Sequence, residues 1–240
     1  MILDCDLSGL EWRVAAFLSQ DKIMMQEIID GCDAHSDNAE QILKDRSRRQ
    51  DAKVVSFRSI YGGSPYAFFM DPNMPNFSLD EWTEIMGRFW EKYKGLHSQH
   101  RTWIRTVYAQ GYIKNPTGRI LTFHKVRKSD GSIGYSNTQA VNYPVQSLAT
   151  ADIVPLAIVV ANKRLRKAGI PFDFINAVHD SLVYDCPSEW ATYETANIVL
   201  GVFRDLPKLI HSYFGFHFNV PLDGEAKAGD TWGTMRKLDL

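Results

Sequence analysis

Short apolar runs that read as strands stand near both ends of this chain, and helical spacing fills the middle. Met1-Ile2-Leu3 is one such run, ahead of Asp6, and predicts a buried strand. Phe174-Ile175-Asn176-Ala177-Val178 and Leu182-Val183-Tyr184 are two more, separated by His179, Asp180 and Ser181. Two apolar runs around a short polar centre predict a hairpin with a tight turn. From about Trp12 to Gln110 the pattern is helical. Within it Arg49, Lys53, Phe57 and Tyr61 each fall four residues after the last, so they share one helix face. Gly62-Gly63 then lets that helix end. Pro65 to Pro75 reads as a loop between helices. A long apolar helix opens at Asn142 and runs to about Lys167. The order is strand, helices, hairpin, long helix, second hairpin, helix and final strand, an α+β pattern with a helical block inserted between sheet elements.

That arrangement changes how the charged residues read. If the second hairpin pairs beside the first strand, Asp6 and Asp180 meet at one sheet edge. Two carboxylates on rigid elements suit phosphoryl transfer, in which two divalent metals about 3.5–4 Å apart clamp the attacking and leaving oxygens. Magnesium takes hard oxygen ligands and needs only one or two carboxylates plus substrate phosphates. Either aspartate alone reads more readily as a turn residue or helix cap; it is the two together that point to metal binding. Arg49 and Lys53 lie toward the N-terminal end of their helix, whose dipole adds positive charge there. The neighbouring Lys44, Arg46, Arg48 and Arg58 leave an ordinary amphipathic helix as the alternative.

Three stretches carry a resemblance: Asp6-Leu7-Ser8-Gly9-Leu10-Glu11-Trp12-Arg13, the Arg49/Lys53/Phe57/Tyr61-Gly62 register, and Val178-His179-Asp180-Ser181. In this order they resemble motifs A, B and C of the family A DNA polymerases, the DNA polymerase I and phage replicase family. The resemblance implies a right-hand polymerase palm, an antiparallel sheet plus helices, with an inserted helical fingers subdomain. Palm would be residues 1–11 and 111–240, and fingers residues 12–110. It implies a template-directed polymerase adding dNTPs to a primer 3′-OH, with Asp6 and Asp180 holding two Mg²⁺, for which Mn²⁺ can substitute. Arg49 and Lys53 would bind triphosphate, with Lys53 the donor to leaving pyrophosphate. Phe57, Tyr61 and Glu11 would shape the sugar and base pocket. His35, from Asp33-Ala34-His35, would touch phosphate.

Glu11 matches a steric gate against the ribose 2′-OH, and Phe57 an aromatic that supports it, so both imply deoxynucleotides. Phe57 in place of Tyr implies discrimination against dideoxynucleotides. Ser181 departs from the Glu usual in DNA enzymes and matches single-subunit RNA polymerases, which remain the alternative. Asn142 and Gln146 match residues that touch minor-groove edges shared by all correct pairs. Arg119, in Thr117-Gly118-Arg119, would contact template or primer phosphate, and His179 would lie near the primer terminus. Thr138 stands where the family has arginine. Gly224-Glu225 and Trp232 resemble the family's closing strand.

Composition adds little that opposes this. The chain is 45% hydrophobic and 23% charged, ordinary for a globular protein. Its net charge of −1 is unusual for an independent DNA-binding unit, but basic residues cluster at Lys44–Arg58 and Lys114–Lys128. Cys5, Cys32 and Cys186 show neither zinc spacing nor an even-numbered framework, which predicts a reducing, cytoplasmic setting. The longest apolar run, Ile153 to Ala161, is too short for a membrane span, so no membrane partner is expected. The chain opens at motif A, so thumb and exonuclease are absent from it. The expectation is a split gene or gene fragment, with a second polypeptide supplying them, rather than a minimal polymerase-like protein, and a phage origin. A non-catalytic polymerase subunit or scaffold is the rival of another class.

Overall fold

The structure, a computed structural model, describes residues 1–128 and 131–240. In chain order it forms β1 (Ile2–Leu7), α1 (Leu10–Ser19), α2 (Lys22–Ile29), α3 (Ala34–Gln41), α4 (Arg49–Ile60), α5 (Pro65–Phe69), α6 (Leu79–Lys92) and α7 (Lys94–Gln110). The hairpin β2 (Tyr112–Lys114) and β3 (Ile120–Thr122) follows, then the short pair β4 (Val126–Arg127) and β5 (Ile133–Gly134). Next come α8 (Asn137–Gln146), α9 (Val154–Ala168), β6 (Asp173–Val178), β7 (Ser181–Asp185), α10 (Glu189–Phe214), β8 (Gly224–Gly229) and β9 (Arg236–Lys237). The chain divides into two compact units, residues 1–11 with 146–240 and residues 12–145.

The first unit is built on a five-stranded antiparallel sheet, ordered β6-β7-β1-β8-β9. Central β1 alternates as a pleated strand must: Leu3, Cys5 and Leu7 are fully buried, while Asp4 and Asp6 face the other side. α10 covers the apolar side, burying Val199, Phe203, Leu206 and Ile210. At Gly224 a Cβ would strike the carbonyl oxygen of Asp6 and the Phe203 ring, so only glycine lets β8 lie this close to β1. β6 and β7 form the expected hairpin. Val178 pairs with Ser181, leaving His179 and Asp180 as its two-residue turn.

In the second unit Asp21 caps two helices at once. Its Oδ1 accepts from the backbone N–H groups of Ile23 (3.0 Å) and Met24 (3.1 Å) at the start of α2. Its Oδ2 accepts from Leu96 N–H (3.1 Å) in the first turn of α7, whose own N-cap residue Tyr93 supplies no side-chain cap. Gly95 permits this approach, since a Cβ there would lie 2.7 Å from the Asp21 Cα. α4 buries Ala52, Val55, Ser56, Ser59 and Ile60. Behind it Asn38 donates to Ser56 Oγ (3.0 Å) and accepts from Lys92 Nζ (2.8 Å), and Lys92 pairs with Glu27 at 2.7 Å.

Three features differ from the sequence reading. Within Pro65–Pro75 the chain forms α5, because Ser64 accepts from Ala67 N–H (3.2 Å) as an N-cap and Pro65 fits the first helical turn. The long apolar helix begins at Asn137, and its turns from Ser147 to Ile153 are a π-helix. Pro155 can donate no hydrogen bond and its ring crowds the carbonyl one turn back, which favours a widened turn there. The whole run Asn137–Ala168 is, by length and composition, long and apolar enough to cross a membrane, which the sequence reading excluded. Most of its apolar window (61%) is buried within the fold, as in the core helix of a globular protein.

Candidate active site

In the first unit β1 delivers Asp6 and the β6–β7 turn delivers Asp180. The register pairs Asp6 with Ser181 on β7 and with Glu225 on β8. Ser181 Oγ donates to Asp6 Oδ2 (3.1 Å), and Leu7 N–H donates to the Asp180 carbonyl (3.2 Å), which pins the turn against the end of β1. His179 sits in the turn at φ 56°, a left-handed conformation that costs a non-glycine residue energy. Burial pushes the Asp180 carboxyl up to about 6, with the negative charges of Asp6 and then Glu11 adding to the effect. Asp180, Glu11, His179 and Thr150 line a cavity of about 210 Å³.

Thr150 is the wall that sequence reasoning missed. It lies in the π-helical stretch and donates to the Gln146 carbonyl (2.7 Å). Nothing local marks it, although single π turns recur at functional sites. Gln146 itself is exposed.

The second unit holds the cationic helix face. Arg49 and Lys53 are exposed and Phe57 is half-buried along α4, and half-buried Tyr61 is its C-cap residue. Arg49 already has a partner. Its Nε donates to Asp33 Oδ2 (2.6 Å) and its terminal nitrogen to Oδ1 (3.2 Å). That guanidinium holds the Asp33 carboxyl well below the usual carboxylate range. Asp33 also caps α3, accepting from the N–H groups of His35 and Ser36. His35 is thereby placed 5.6 Å, between ring centroids, from Phe57 and 6.1 Å from Trp12. Burial lowers its imidazole to about 4, with the positive charges of Arg49 and Lys53 contributing, so it is neutral at pH 7.

α4 ends against α8. Gly62 adopts φ 81°, and a Cβ there would come within 2.7 Å of Val141 Cγ2, so glycine is required twice over. Beside it Asn142 is half-buried, with its Oδ1 buried and lacking a hydrogen-bond partner among the described residues. Arg119 is exposed in the β2–β3 loop. Buried Asn115 accepts from Gly118 N–H (2.9 Å) and sends its Nδ2 to the Pro144 carbonyl (3.2 Å), tying that loop to α8. Asn115 was not singled out from the sequence, where Asn-Pro signals only a turn. The sequence-derived site residues thus fall into two sets. Asp6, Glu11, Gln146, His179 and Asp180 belong to the first unit, and His35, Arg49, Lys53, Phe57, Tyr61, Arg119 and Asn142 to the second.

Asp6 and Asp180 in the first unit, and Arg49, Lys53, Phe57 and Tyr61 in the second, lie in the stretches whose sequence resembles the family A DNA polymerases. The family model for DNA polymerase family A matches residues 1–234, and the chain belongs to that family. It is 25% identical over 240 residues to DNA polymerase I of Caldicellulosiruptor bescii, covering 97% of this chain and 26% of that protein. Against Aquifex aeolicus DNA polymerase I it is 27% identical, covering 95% and 38%. Against the DNA polymerase of Mycobacterium phage D29 it is 30% identical over 202 residues, covering 81% and 30%. The chain therefore spans between about a quarter and two fifths of these relatives' length. The fold is similar to the POL domain of Pol1 from M. smegmatis, solved in complex with DNA primer-template and dNTP. That match has a TM-score of 0.79 at 22% identity, over 98% of this chain and 40% of that one.

Proposed function

We propose that this chain carries the nucleotidyl-transfer site of a template-directed DNA polymerase that extends a primer 3′-OH with dNTPs. The observation that supports this most is the Asp6–Asp180 pair, close enough for the charge of one to raise the other's proton affinity. Such a pair calls for a cation. Hard divalent ions fit it: the two side chains offer carboxylate oxygens, and no group of three or more His, Cys, Asp or Glu forms a complete cage among the described residues. That matches magnesium, which fills its shell with substrate phosphates and water. When bound, Mg²⁺ or Mn²⁺ at these two side chains supplies charge neutralisation at the transferring phosphate.

The chain's own groups do the rest. The first unit is read as the palm and the second as the fingers. Lys53 is the exposed cation for the triphosphate and the donor to leaving pyrophosphate, with Arg49 held beside it by Asp33. Neutral His35 donates a hydrogen bond to phosphate. Phe57 and Tyr61 support sugar and base, and Glu11, on the wall of the Asp180 cavity, crowds a ribose 2′-OH. Asn142, whose Oδ1 lacks a partner, Gln146, Arg119 and His179 contact primer-template. Catalysis is then positioning and charge stabilisation. Similarity to the phage D29 polymerase favours phage replication, in the host cytoplasm, as the setting.

Primer extension by this chain with Mg²⁺ and dNTPs, against Asp180→Asn, tests the reading. Extension that Asp180→Asn abolishes, and ribonucleotide use that Glu11→Ala increases, are the expected results. Extension unchanged in Asp180→Asn refutes the assignment. Folded protein that binds DNA yet never extends a primer, even beside a supplied thumb and exonuclease polypeptide, points to the scaffold.

A further inference from the structure

We propose that the outer face of α7, continued by the β4–β5 pair, is a binding track for single-stranded DNA, separate from the nucleotide and metal residues above. The first observation is charge. The chain holds 28 Asp and Glu and has net charge −1, yet residues 92–129 contain none of those acids. Lys92 and Lys94 at its start are paired with Glu27 and Glu91, whereas Arg101 and Arg105 further along α7 stand far from any acid in the sequence. α7 buries Leu96, His100, Trp103 and Val107, which turns Ser98, Arg101, Arg105 and Tyr108 toward solvent.

Arg101 and Arg105 line a cleft of about 390 Å³ with Ser98 and Ile104. Neither guanidinium has a carboxylate partner among the described residues. They are one turn apart, a rise of about 6 Å, so a single extended backbone can meet both. Among the described residues the Arg105 side chain donates only to the Thr102 hydroxyl (3.5 Å), and two guanidiniums without carboxylates in a cleft suit phosphate diesters.

The second observation is aromatic. Tyr108 is 46% exposed at the end of this stripe. It packs edge-on to Tyr135 beyond β5 (5.6 Å between centroids) and donates to the Tyr135 carbonyl (3.3 Å). Lys128 Nζ donates to Tyr108 Oη (2.7 Å), and Lys125 Nζ lies 5.9 Å from the Tyr135 ring centre. Cations following a helix face to the exposed Tyr108 ring, backed by half-buried Tyr135, are the two components of a single-strand site: charge for the backbone and a flat face for an unstacked base. Duplex DNA hides its base faces, and an acidic peptide has no use for the rings, so single-stranded DNA is the ligand that uses both.

Fluorescence anisotropy with labelled oligo(dT) of about 16 nucleotides, without metal or dNTP, tests this on the full chain. Wild type is expected to bind with an affinity that falls steeply with salt. Arg101→Ala/Arg105→Ala should weaken binding and flatten the log–log salt slope by about 1.4, or 0.7 per phosphate lost. Arg101→Lys/Arg105→Lys should keep that slope and guards against misfolding as the cause. Tyr108→Ala should weaken binding about 5- to 150-fold with the slope unchanged. Asp180→Asn should bind oligo(dT) as wild type does, which separates this site from the fate of the polymerase reading. An unchanged slope in the alanine pair overturns the proposal. So does polyglutamate displacing oligo(dT) equally well while Tyr108→Ala has no effect, which marks a face for acidic partners instead.

Discussion

Replacing Asp180 by Asn should stabilise the metal-free protein even as it removes a proposed metal ligand. Burial and the charges of Asp6 and Glu11 raise the Asp180 carboxyl from the ordinary 3.8 to about 6. Below 3.8 it is protonated whether the chain is folded or not. Between 3.8 and about 6 the folded state holds a proton that the unfolded state has lost, so stability falls as pH rises. Above about 6 the penalty is complete. A tenfold change in proton affinity is worth about 1.4 kcal/mol, which puts the ceiling near ~3 kcal/mol. The side chain is only partly buried, and solvent screening reduces this to ~1–2 kcal/mol. Asparagine carries no charge at any pH, so its advantage should be absent in acid, grow through the carboxylate range and level off near neutrality. Urea unfolding followed by circular dichroism, in EDTA across that range, reads it as a raised midpoint at constant slope. Saturating Mg²⁺ should reverse the order, because an ion that binds only the folded wild type stabilises it. Equal stability near neutral pH, or a gap that does not change with pH, refutes the reasoning.

Two further substitutions probe the scaffold behind the site. Asp21→Ala removes caps from α2 and α7 together and leaves Leu96 N–H buried without an acceptor, so thermal or urea unfolding should show a loss of about 2–4 kcal/mol; a loss below about 1 kcal/mol would mean the two caps are not both formed in solution. Gly224→Ala drives a Cβ into the Asp6 carbonyl and Phe203, and should cost about 1–3 kcal/mol as β8 shifts from β1. Unchanged urea stability of that variant would show the strands are less closely apposed than described.

The strand ahead of Asp6, the hairpin around Asp180 and the face of α4 could all be read from the sequence, because each follows from residue period over a few turns or pleats. The polymerase-type register within them is local too, four-residue steps on one helix and an aspartate in one turn. The sequence could not say that Arg49 is clamped by Asp33, sixteen residues away, since many carboxylates were equally available to it. It could not say that Asp21 caps Leu96, because a capping signal shows only the helix that follows it. Thr150 enters the Asp180 cavity through a π turn that apolar spacing cannot reveal. α5 escaped notice because its prolines signal breaks, whereas Ser64 makes Pro65 a start. What the sequence determined by itself was the kind of elements and the chemistry placed on them, which depend on neighbours along the chain. What only the tertiary structure decided was which charges are paired, which are buried and how strongly each holds its proton. Those depend on desolvation and on charges brought near from distant positions, as with Asp180 beside Asp6.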